Sequence, residues 1–69
     1  MKVTATVMAF QFKHSKTDKR VDILNDKSYV MGHYNQRTGT TSWERVVLTT
    51  QRENIEAYLK ATYPVIAAV

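Results

Sequence analysis

The chain has 69 residues, which allows one small domain. It has no cysteine, so no disulfide or thiolate metal site is available to staple it. Ten Lys and Arg stand against six Asp and Glu, a net charge of +4 with a pI near 9.6. That balance favours polyanionic partners, nucleic acid or an acidic protein face, and no apolar run approaches the roughly 20 residues of a membrane span.

A first strand is expected over residues 2–12. Val3, Ala5, Val7 and Ala9 alternate with Thr4, Thr6, Met8, Phe10 and Phe12, and a period of two in β-branched and aromatic residues argues extended backbone. Met8, Phe10 and Phe12 carry the larger apolar area and are assigned to the core, each contributing on the order of 1.5–3 kcal/mol if fully buried. Thr4 and Thr6 interrupt this run, so it does not read as a secretory leader.

Lys13-His14-Ser15-Lys16-Thr17-Asp18-Lys19-Arg20 is polar and reads as a loop or hairpin tip. Its bases suit phosphate contact through counterion release, and they equally suit protection of a strand edge. A second strand is expected over 20–24 and a turn at Asn25-Asp26-Lys27-Ser28, where Asn and Asp bond locally. A third strand follows over 28–35.

Gln36-Arg37-Thr38-Gly39 is the next turn, with Gly39 supplying positive φ, and a fourth strand is expected over 40–48. Turns this closely spaced give an antiparallel meander, because parallel strands need a long crossover. The hairpin register has two solutions. One sets Trp43 across from Gly32, with the indole over the gap the glycine leaves. The other sets Trp43 opposite His33 and Met31 opposite Arg45.

Thr50-Gln51-Arg52-Glu53 matches a capping box and predicts a helix over 51–62. Ile55, Tyr58, Leu59 and Thr62 form its apolar stripe, and Glu56 and Lys60 form an i,i+4 pair. Pro64 ends the helix. Residues 64–69 form an apolar tail, expected to dock on the fold. The fold class is therefore α+β: a small antiparallel meander of four strands, β-β-β-β-α, with one C-terminal helix packed on one face.

No constellation for catalysis is recognisable. Ser15, Ser28 and Ser42 sit in no nucleophile motif, and His14 and His33 read as a loop residue and a strand residue. The six carboxylates all fit solvated positions, and two glycines make no phosphate loop. Two histidines without cysteine make no zinc site. The chain is read as a non-enzyme without cofactor.

What remains is binding. The candidates for contact with nucleic acid or a protein partner are Lys13, Lys16, Lys19, Arg20, Tyr34, Arg37, Trp43 and Arg45. Arg and Lys hold phosphates, a strand pair enters a major groove, and an exposed aromatic stacks on single-stranded bases. The order of Tyr34-Asn35-Gln36-Arg37-Thr38-Gly39 followed by Ile55-Glu56-Ala57-Tyr58-Leu59 resembles the small arm-type DNA-binding domains of phage tyrosine recombinases. Those run strand, polar turn with Gly, strand, then a capped helix. The resemblance covers roughly half of the chain, and the long first strand departs from it, so no site residue is taken from it.

Two functions are expected from different classes. The first is a small basic regulator that contacts nucleic acid through its sheet and loops. The second is a protein-binding inhibitor of the phage or mobile-element type that covers a host partner with Trp43, Tyr29, Tyr34 and Arg45, residue types enriched at interface hot spots. Both imply a cytoplasmic protein. The small core makes a homodimer a further expectation.

Overall fold

The structure is a computed structural model, and it describes residues 7–66. Four strands, β1 (Gln11–Ser15), β2 (Arg20–Leu24), β3 (Val30–Asn35) and β4 (Thr40–Trp43), form one antiparallel sheet in sequence order. A helix, α1 (Thr49–Thr62), follows and covers one face. This is the α+β meander that the turn spacing predicts.

The core is made by one side of the pleat. Phe12 faces Ile23, Ile23 faces Gly32, and Gly32 faces Trp43 across successive ladders; His14, Val21, Tyr34 and Thr41 form the next row. Because strand side chains alternate, these two rows share a face. Val21, Ile23 and Tyr34 meet Ile55 and Leu59 of α1, and all five have no exposed surface. Phe10, Phe12, Met31, Trp43, Tyr58 and Tyr63 close the rim of this cluster.

Several sequence-level boundaries move. The first strand begins at Gln11. Residues 2–6 of the expected strand lie outside the described residues. Val7 and Met8 are helical, and the Phe10 N–H bonds to the Val7 carbonyl at 3.1 Å. Leu24, the last residue of β2, pairs with Gln11, and the described residues before Gln11 have no ladder partner. Met8 accordingly is 78 % exposed rather than core. Phe10 and Phe12 do pack on the core, half-buried.

The polar stretch expected as a loop over 13–20 shrinks to a four-residue turn, residues 16–19, with Lys19 at φ 54. Lys13 and His14 are strand residues. At the other end Asn25 Oδ1 accepts the Lys27 and Tyr29 N–H groups, both at 2.9 Å, and Ser28 sits at φ 68. That local bonding delays β3 to Val30. The β4 ladder stops at Trp43, because the N–H groups of Glu44 and Arg45 both turn to the Met31 carbonyl (2.9 and 3.3 Å).

The capping box does not form. The helix starts at Thr49 with Leu48 as its cap residue and no side-chain cap bond, so Thr50 is already inside the first turn. Thr49 Oγ1 instead accepts from Arg52 Nη2 at 3.2 Å. Thr62 is exposed, and Tyr63 packs in its stead. Glu56 turns away from Lys60 and accepts the Trp43 indole N–H at 2.8 Å, which ties α1 to β4.

Gln36 anchors the segment after the helix. Its backbone carbonyl accepts the Ile66 N–H at 3.0 Å, and its side-chain Nε2 donates to the Pro64 carbonyl at 3.1 Å. The Tyr34 hydroxyl donates to the Tyr63 carbonyl at 2.7 Å. The start of the apolar tail is thus docked by backbone bonds, although Val65 and Ile66 keep exposed side chains. Residues 67–69 lie outside the described residues.

Candidate nucleic-acid interface

Toward the first and third turns, the face of the sheet away from α1 is polar. Its rows are Lys13, Asp22, His33 and Ser42, then Ser15, Arg20, Asn35 and Thr40. An antiparallel meander puts its first and third turns at the same end. Here the two turns touch: the Gln36 N–H donates to the Lys19 carbonyl at 2.9 Å. This bond brings the bases of residues 16–20 beside Arg37, which are far apart in sequence.

An open concavity of about 500 Å³ lies at that end, lined by Lys19, Arg20, Arg37, Tyr34, Asn35, His33, Ser42 and the acidic Asp18. Asn35 Oδ1 accepts the Arg37 N–H at 2.9 Å and so shapes the turn that presents the Arg37 side chain. Gly39 completes the same turn at φ 76.

Moving along the face, the charge changes sign. Asp22 Oδ1 accepts from Arg20 Nε at 3.1 Å and from His33 Nδ1 at 2.8 Å, and Glu44 sits against His33 Nε2. Each ring nitrogen of His33 thus faces a carboxylate. The two carboxylates lie on opposite nitrogens, so they do not converge on one point as metal ligands would. Among the described residues, no group of three or more His, Asp and Glu could hold a metal ion. The row also sets Asp22, His33 and Ser42 side by side, but Glu44 occupies the ring nitrogen that a nucleophile would need.

The sequence-derived candidates therefore separate. Lys16, Lys19, Arg20 and Arg37 gather at one end, and Lys13 stands on the same open face. Tyr34 points to the helix side and has no exposed surface. Burial pushes its hydroxyl up from the usual 10.0. Trp43 also faces the helix side, half-buried, with its N–H taken by Glu56. Arg45 stacks over Tyr29 at 5.2 Å from the ring centroid and bonds the Val30 carbonyl at 3.2 Å, beside the opposite turn.

Sequence reasoning missed the Asp22–His33–Glu44 cluster and treated Asp22 as solvated. The β2–β3 register was the available signal: Ile23 opposite Gly32 puts His33 beside Asp22. His14, read as a loop residue, is a β1 residue stacked on Tyr63 with ring centroids 4.6 Å apart. Gln36 Oε1 accepts from its Nε2 at 3.0 Å, a role that follows from Gln36 Nε2 donating to Pro64.

No described helix is long and apolar enough to cross a membrane. Comparison with protein-family models, with curated proteins and with solved structures finds no match to this chain.

Proposed function

We propose that this chain is a small non-enzymatic regulator that binds nucleic acid through the open, basic end of its sheet. The observation that carries the reading is the contact of the two turns through Gln36 and Lys19, which gathers Lys19, Arg20 and Arg37 around one concavity, with Lys16 in the adjoining turn. Each phosphate neutralised there releases condensed counterions, the main source of sequence-independent affinity. The reading takes the cytoplasm as the compartment and needs no cofactor. A generic oligonucleotide should shift on electrophoresis with the chain at low salt; absence of any shift there removes the proposal.

A second reading, a protein-binding regulator, is favoured by one observation. Val46 is 97 % and Leu48 68 % exposed, in the irregular segment between β4 and α1. The contact face would then be this segment and not Trp43 and Tyr34, which the helix covers. A stoichiometric complex that survives moderate salt and fails with Val46→Asp supports this reading over the first. A light-scattering mass taken beside either assay reports whether the chain self-associates.

A further inference from the structure

We infer that the nucleic acid held by this surface is a duplex gripped by its phosphates, and not a single strand whose bases stack on the sheet. The inference rests on the nucleic-acid reading above and specifies its ligand.

Single-strand sites gain roughly 1–3 kcal/mol per base from aromatic platforms. The open face has none to offer. Tyr34 is fully buried, and Phe12 and Tyr58, half-buried, stack on each other at 5.2 Å on the helix side of the sheet. Trp43 is tied to Glu56, and Tyr63 packs on His14. Phe10 packs on the core, and the exposed Tyr29 lies beside the opposite turn with Arg45 over its ring. The imidazole of His33 is on the open face, but carboxylates flank both of its nitrogens, which sets negative charge where a base and its phosphate would lie.

Charge narrows the contact further. Asp22 and Glu44 repel phosphates from the middle of the face, while the turn end carries Lys16, Lys19, Arg20 and Arg37 against Asp18. Docking is therefore by the end of the sheet against a sugar–phosphate backbone, without reading base edges, and independent of sequence. A duplex releases more counterions per contact than a single strand. For four contacts, and equal affinity of the two ligands at about 1 M salt, the difference at about 0.05 M salt amounts to on the order of tenfold in affinity.

The test is fluorescence anisotropy at that salt with a labelled mixed-sequence DNA duplex, an RNA duplex and each component strand. Tighter binding of at least one duplex, on the order of tenfold, weakened by Lys19→Gln with Arg37→Gln and unchanged by Tyr29→Ala, supports the inference. Equal or tighter binding of single strands, or loss of binding in Tyr29→Ala, overturns it while leaving the nucleic-acid reading in place. Binding to none of the probes overturns both.

Discussion

Trp43 lies directly across the β3–β4 ladder from Gly32, and its indole occupies the space that a side chain at Gly32 would need. A Cβ built there would stand 2.6 Å from the Ser42 carbonyl oxygen and 3.0 Å from Trp43 Cε3. The nearer atom is backbone, so it does not yield as a flexible side chain would. Gly32→Ala is expected to destabilise the fold by about 1–3 kcal/mol, the range for overpacking. Urea unfolding followed by tryptophan fluorescence measures it; a variant as stable as the parent would show that the ladder shifts freely.

Tyr34 and Tyr63 give a pH-dependent prediction. The Tyr34 hydroxyl donates to the Tyr63 carbonyl, and Tyr34→Phe removes that bond, with an expected cost of about 0.5–1.5 kcal/mol. Burial raises the hydroxyl above 10.0 in the folded chain, so the fold holds that proton more tightly than the unfolded chain does. The contribution is complete below about pH 10 and is lost as pH rises through the folded value. The parent should lose stability over that alkaline window more steeply than Tyr34→Phe, as read from thermal midpoints across pH.

Gly39 joins the turn to the docked tail. It sits at φ 76, and a Cβ there would approach Val65 Cγ2 to 2.7 Å. Left-handed backbone costs other residues roughly 1–2 kcal/mol. Gly39→Ala should lose about that much. Pairing it with Val65→Ala should recover only the share due to crowding, because the backbone conformation remains.

Ile55 and Leu59 are the only fully buried side chains of α1. Either one replaced by Ala should cost about 2–5 kcal/mol, a large fraction of the stability of a domain this small. Loss of cooperative thermal unfolding in circular dichroism is the expected signature. Thr62→Ala, at an exposed position, should leave the transition where it is.

The hairpin was the most legible part of the chain. Gly32, the Gln36–Gly39 turn and the spacing to Trp43 point to a ladder whose register has two solutions, and packing of the indole on the glycine selects between them. The helix was legible from Ile55 and Leu59, but its start was not. Thr50 and Glu53 have the right spacing for a cap, yet the chain enters helical backbone at Thr49. Alternation over 7–10 misled because a strand needs a neighbour, and β2 is only long enough to pair back to Gln11.

The candidate site was legible as charge and not as place. Lys16, Lys19, Arg20 and Arg37 stand out by type. Their meeting depends on the Gln36–Lys19 contact between two turns, which local pattern does not encode. Tyr34 and Trp43 looked equally suited to binding, because period two leaves the choice of face open until the helix covers one. Asp22, His33 and Glu44 come from three separate segments of the chain and meet only once the register is set.

The most direct test of the account is the slope of log affinity for a DNA duplex against log salt, for the parent chain and for Lys16→Gln/Lys19→Gln/Arg37→Gln, with folding of both checked by circular dichroism. The account predicts that parent affinity falls steeply with salt and that the variant's slope is shallower by about one unit for each base removed. An affinity that ignores salt, or a variant whose slope matches the parent's, would contradict it.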